Sequence, residues 1–136
     1  VRLQEALEFP RIYTEYQEVN MEDRRLLDII ELCLNVSTLR HRLYSNNIAN
    51  VDTPGYKKYR VAFEDFLRHA LEDGNTDIEP RVYRITETSF RNDGNNVNLD
   101  EEIVLMNQNA LRYQALSQFA KWCFDRYYTV LGGRKR

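Results

Sequence analysis

The chain is poor in the residues that usually carry chemistry. Of its 136 residues five are glycine, three proline, two cysteine, two histidine and one tryptophan. Five scattered glycines provide no glycine-rich loop to cradle a phosphate, and no Ser, Cys or Thr stands in a nucleophile motif. Cys33 and Cys123 lie ninety residues apart without a CxxC pair. Both read as small buried hydrophobes, with an interhelical disulfide as the alternative in an oxidising space. Adding His41 and His69 gives separations of eight, twenty-eight and fifty-four residues, which match no zinc spacing. The Asn-rich stretch around Gly94 is no calcium loop either. With Gly94 at the sixth position, the third falls on Arg91, a cation where a ligand oxygen is required. No metal or cofactor is expected.

Long apolar runs are also missing: none approaches the roughly 18 to 20 residues that span a bilayer, and the N-terminus lacks the order of a cleaved secretory signal. The formal charge is -2. Residues 1–20 account for it, with Arg2 and Arg11 against Glu5, Glu8, Glu15 and Glu18. Only the short Arg134-Lys135-Arg136 end is basic, so no field for nucleic acid or anionic lipid exists. The carboxylate pairs Glu64-Asp65 and Glu101-Glu102 are adjacent on expected helices and diverge, as solvated or capping charges do. The size is that of one domain, small for an enclosed active site. No enzyme is expected, and a hydrolase built on His41 or His69 would need activity lost on substituting them.

What is present is helical periodicity at both ends. From Glu22 to about Asn50, apolar residues recur at Ile29, Leu32, Val36, Leu39 and Leu43, in steps of three and four, a heptad-type seam. Arg40, His41 and Arg42 occupy other faces, as suits an exposed or partner-facing stretch. Ahead of this helix, residues 1–20 hold Phe9-Pro10, Tyr13 and Tyr16 among alternating charges, and Pro10 is expected to break any helix there. Met21-Glu22-Asp23 suits a helix first turn, so residues 1–20 read as an extension, native or not.

Near the C-terminus, Asn98 suits an N-cap with Glu101 as its capping-box partner. A second seam then runs through Leu99, Ile103, Met106, Ala110, Tyr113, Ser117, Ala120, Phe124, Tyr127 and Leu131, in steps of four and three without a slip. A helix over residues 99–131 is roughly 50 Å long at 1.5 Å per residue, with Gly132-Gly133 to stop it. Phe119, Trp122, Tyr128 and Val130 spread apolar surface beyond the seam. So small a chain does not cover all of it, which marks an association face.

Between the helices stands Asn46-Asn47-Ile48-Ala49-Asn50-Val51-Asp52-Thr53-Pro54-Gly55-Tyr56-Lys57. Pro54 biases Thr53 away from the α region and Gly55 accepts positive φ, so the first helix must end before Pro54. Residues 61–71 put Phe63, Phe66, Leu67, Ala70 and Leu71 on one helical face, a short helix closed by Asp73-Gly74-Asn75. Residues 81–86 alternate like a strand, and Asn92-Asp93-Gly94-Asn95 supplies a turn.

The helix ending in an Asn-rich run before Thr-Pro-Gly-Tyr resembles the signature of the rod, hook and related axial proteins of the bacterial flagellum. The run from Gly94 to Glu102, followed by Asn109-Ala110-Leu111-Arg112-Tyr113-Gln114-Ala115-Leu116 and Gly132-Gly133-Arg134, is similar to the C-terminal half of the short proximal rod proteins. The matching segments cover most of residues 21–136. The resemblance implies a structural subunit of the basal-body rod, exported without a cleaved signal, that transmits torque and has no substrate. Its implied partners are further copies, other rod proteins, the membrane-ring adaptor and the export apparatus. A soluble coiled-coil adaptor or secretion chaperone is the alternative.

The expected fold is mainly α: two long terminal helices packed as an antiparallel coiled coil, with a small irregular α/β module between them. The chain divides into an extension (1–20), an N-terminal rod helix (21–50), a linker motif and central module (51–98), and a C-terminal rod helix and tail (99–136). Expected assembly contacts are Ile29, Leu32, Val36, Leu39 and Leu43 on the first helix, and Asn46, Asn47, Asn50, Thr53, Pro54, Gly55 and Tyr56 at its end. On the last helix they are Ile103, Met106, Ala110, Tyr113, Ala120, Phe124 and Tyr127. The asparagines have two readings: local helix-end caps, or amides that bridge neighbouring subunits, three being more than one cap requires.

Overall fold

A computed structural model describes residues 2–73, 78–87 and 91–130. Its elements in chain order are α1 (Arg2–Ala49), β1 (Tyr59–Ala62), α2 (Glu64–Asp73), β2 (Arg81–Arg84) and α3 (Leu99–Val130). The architecture is mainly α, with a two-stranded sheet between two long helices. α1 and α3 pack side by side, and two contacts give their sense. Asn47 of α1 bonds Glu102 of α3, and Asn109 further along α3 bonds Ser37 further back on α1, so the pair is antiparallel.

α1 is longer than its partner, 48 residues against 32, or about 72 Å against about 48 Å at 1.5 Å per residue. With Asn109 level with Ser37, Val130 lies level with about residue 16, and the turns before that have no counterpart on α3. The expected break at Pro10 does not occur: the helix is continuous from Arg2 to Ala49. Proline removes one backbone bond, to the carbonyl of Ala6, at a cost of about 3 kcal/mol. That local penalty does not stop propagation of a helix already formed on either side.

The apolar core is small. Val36, Val61 and Phe63 form its buried centre, with Leu32, Cys33, Leu39, Leu43, Leu67 and Ile78 packed around them. Three elements therefore meet on the first-helix seam. The central module differs from expectation at its start, where Val61 and Ala62 belong to β1 rather than to the short helix. β1 pairs antiparallel with β2 in the register Tyr59↔Arg84 to Ala62↔Arg81. Val61 is thereby buried opposite Val82, and Phe63 becomes the residue whose carbonyl receives the first α2 amide, from Leu67 at 2.8 Å.

Of the apolar face expected on α2, Leu67 reaches the core, whereas Phe66 and Leu71 remain exposed. Arg40 ties α2 to α1 by donating to both carboxylate oxygens of Glu64 at 2.6 Å. The strand expected over residues 81–86 is confined to Arg81–Arg84. Leu131 and the Gly132-Gly133 stop lie outside the described residues, as does Gly74-Asn75.

Candidate assembly interface

Where α1 stops, the chain builds a polar knot. Asn47 is completely buried and bridges three segments. Its Nδ2 donates to the Tyr59 carbonyl at 3.1 Å and to Glu102 Oε2 at 3.0 Å. Its Oδ1 accepts from the Tyr59 amide at 3.0 Å and the Tyr56 hydroxyl at 3.2 Å. All the hydrogen-bonding capacity of one amide thus goes to joining α1, β1 and α3.

Asn95 and Asn96, also fully buried, close the knot from the other side. Asn95 Nδ2 donates to the carbonyls of Asn50, Val51 and Thr53 at 2.8–3.0 Å. These belong to the turns just beyond α1, so one side chain 42 to 45 residues further along the chain satisfies groups that a helix end leaves open. Asn96 Oδ1 accepts from the Lys58 amide at 2.7 Å and its Nδ2 donates to the Ile85 carbonyl at 2.8 Å, fastening both strands. Two glycines make the turns possible. Gly55 and Gly94 have φ of 72° and 83°, which side-chain-bearing residues rarely adopt, and the Gly55 amide donates to the Asp93 carbonyl at 2.9 Å.

The third component is ionic. Glu102 is fully buried and receives the Arg60 guanidinium on both oxygens, at 2.5 and 2.9 Å. Arg60 also lies over the Tyr44 ring, 5.5 Å from its centroid. Lys58 donates to Glu101 at 2.7 Å. Burial alone would lower the Arg60 pKa, but the bond and charge of Glu102 raise it on balance. The Glu101 carboxyl is held below its ordinary value, first by the hydrogen bond from Lys58. Asn98 caps α3, accepting the Asp100 and Glu101 amides on Oδ1 at 3.1 and 3.3 Å. The Glu101 side chain, expected to complete a capping box, turns to Lys58 instead. Nor is Glu102 the solvated charge that adjacency suggested, because β1 delivers Arg60 to it.

The expected assembly residues divide into three groups. On α1, Val36 is core, Leu32, Leu39 and Leu43 pack on it, and Ile29 is half-buried. At the helix end Asn47 is enclosed within the chain and Tyr56 half-buried, while Asn46, Thr53, Pro54 and Gly55 are exposed. Asn50 is half-buried and bonds locally, to the Asn46 carbonyl and Thr53 hydroxyl. On α3, Ile103, Ala110, Tyr113 and Phe124 are exposed, and Met106, Ala120 and Tyr127 half-buried.

The stripe of α3 that turns inward is a different one. It runs through Glu102, Asn109, Leu116 and Cys123, each seven residues after the last, with three of the four buried and Leu116 half-buried. The periodic apolar seam lies one position further on and remains largely uncovered. Sequence reasoning missed the inward stripe because Glu102 and Asn109 score as polar, although their spacing of seven from Leu116 and Cys123 is visible. Beyond the seam, Phe119 and Trp122 stack at 5.7 Å and are half exposed. The knot and this open apolar face can hold a fixed helix pair and present it to another chain; among the described residues no cluster suited to a metal ion occurs.

Comparison with known proteins agrees with the motif at the knot. Residues 42–57 match a family model described as flagella basal body rod protein. The chain is 32% identical over 120 residues to the flagellar basal body rod protein FlgB of Bacillus subtilis (strain 168), covering 78% of this chain and 92% of that protein. It is 29% identical over 129 residues to the flagellar basal body rod protein FlgB of Borreliella burgdorferi, covering 79% and 96%. To the protein of that name from Borrelia hermsii it is 31% identical over 109 residues, covering 64% and 81%.

Proposed function

The chain belongs to the flagellar basal body rod protein FlgB family, and on that premise we propose that it is built into the proximal rod through its two long helices and transmits torque there. The observation that carries this reading is the uncovered α3 stripe, Ile103, Ala110, Tyr113 and Phe124, on a helix whose other side is fixed to α1. Contiguous exposed apolar surface of this kind is completed by a neighbour. A long helix clamped at one end by a buried, fully bonded network is a stiff element, as a drive shaft requires. No substrate enters the mechanism; the load passes through side-chain packing.

In this reading α1 from residue 21 onward and α3 form the rod wall, residues 51–98 fix their register, and residues 2–20 extend the first helix. Neighbours are further copies and other rod proteins, with the ring adaptor at the base. The subunit reaches the periplasm-spanning rod through the flagellum's own export apparatus. Among the described residues no helix is long and apolar enough to cross a membrane.

Electron microscopy of the source organism lacking this gene, complemented with the chain or with Phe124→Asp, tests the proposal. Loss of flagella restored by the first and not by the second is expected. Normal flagella in the deletion strain would overturn it.

A further inference from the structure

We propose that the contact of Ser37 with Asn109 is a pivot built into the helix pair, about which the distal arm of α3 parts from α1 while the knot end stays closed. The inference concerns the isolated chain and does not rest on the rod reading.

The helices meet along rows of seven-residue spacing. On α1 the row is Ile30, Ser37 and Tyr44, all buried. The bond between Asn109 and Ser37 sets the antiparallel alignment, which puts Tyr44 level with Glu102 and Ile30 level with Leu116 on α3. The three layers differ in kind. The one at Tyr44 is closed, because Arg60 covers the ring and holds the buried Glu102 carboxylate. The one at Ile30 is apolar.

The middle layer is neither closed nor apolar. Asn109 is buried, yet its amide makes one bond across the pair, Nδ2 to the Ser37 carbonyl at 2.8 Å. Its Oδ1 has no donor among the described residues, and the Ser37 hydroxyl is used within α1, on the Cys33 carbonyl at 2.9 Å. A buried acceptor without a donor costs stability rather than adding it. Packing does not compensate, because grooves cut into this layer from both sides. One of about 310 Å³ is walled by Thr38 and His41 against Ala110 and Tyr113. The other, of about 570 Å³, is walled by Val36 and Arg40 against Arg112 and Ala115. Ser37 borders both, and at about 100° per residue the two sets of walls take opposite flanks of each helix. The helices therefore touch here along a narrow line. Beyond it the outer side of α3 is uncovered at Tyr113, Trp122 and Phe124. An arm anchored at one end, crossed by one hydrogen bond and open on its outer side separates locally, without unfolding the rest.

The test measures distances by pulsed electron paramagnetic resonance in the full chain, between nitroxides attached through genetically encoded residues so that Cys33 and Cys123 stay in place. One pair stands at the exposed positions Arg24 and Lys121 on the distal arm, the other at the exposed positions Arg42 and Asn107 beside the knot. The distal pair should give two distances, a short one for the closed arm and a longer one for the parted arm, and the knot pair a single one. Asn109→Leu and Asn109→Met remove the unpaired acceptor with a branched and an unbranched side chain, and the grooves leave room for the added volume. At least one of them should lower the longer population severalfold and leave the knot pair unchanged. A single distance at the distal pair, a second distance at the knot pair, or a longer population that neither variant lowers would each overturn the proposal.

Discussion

At the end where α1 stops, Asn47, Asn95, Asn96 and Glu102 are fully buried and bonded to one another's segments. About 33 Å further along α3, Phe124 is 58% and Trp122 53% exposed. The knot end is closed on its inner side by buried polar groups, whereas the outer apolar stripe of α3 stays open from Ile103 to Phe124 and is the most exposed at the far end. Burying amides and an ion pair contributes little net stability unless every group is satisfied, but a satisfied network accepts only one arrangement. The knot therefore fixes register and antiparallel sense. The apolar stripe, which is non-directional, is kept for association, where buried area supplies the driving force. The chain thus separates what sets its own geometry from what joins it to others.

Removing a charge from the closed end is the strongest way to break this contrast. Arg60→Ala leaves Glu102 buried without its cation and should cost about 3–5 kcal/mol in urea unfolding of the monomer. Asn95→Ala withdraws the two N–H donors shared among the Asn50, Val51 and Thr53 carbonyls and should cost about 2–3 kcal/mol at typical hydrogen-bond values.

A smaller effect depends on pH. Because the folded-state pKa of Glu101 is depressed by Lys58, its contribution is present above the ordinary carboxylate pKa and lost as pH falls through the lowered value. Glu101→Gln should cost under about 1 kcal/mol at neutral pH, since the side chain is partly solvated. It should also make stability fall less steeply on acidification below the ordinary carboxylate range, as measured by urea midpoints at several pH values. At the open end, Phe124→Asp should change monomer stability by no more than about 0.5 kcal/mol and still block incorporation. A large loss of monomer stability there would mean that the face is part of the fold.

Much of this was legible in the sequence. The α1 seam at Val36, Leu39 and Leu43 does pack inward, because apolar residues at helical spacing have little else to do. Asn98 caps, and the turns at Gly55 and Gly94 fall where turns were expected, Gly55 with the positive φ anticipated for it. The knot was hidden because its partners are far apart in sequence: nothing in Asn47 announces Glu102, 55 residues on. The inward stripe of α3 was hidden by its polar members, so the stronger apolar pattern marked the outward face. β1 was hidden because Val61 and Ala62 suit strand and helix alike, and only pairing with β2 decides between them.

Residue-resolved hydrogen exchange on the isolated full chain tests the central claim most directly, since protection reports local opening free energy. The account predicts the slowest amides at residues 36–49 and 102–110, anchored by the knot and core, and markedly faster exchange over residues 117–128. Uniform protection along α3, or slowest exchange at its distal end, would show that the open face is closed within the monomer and would contradict the division of labour between the two ends.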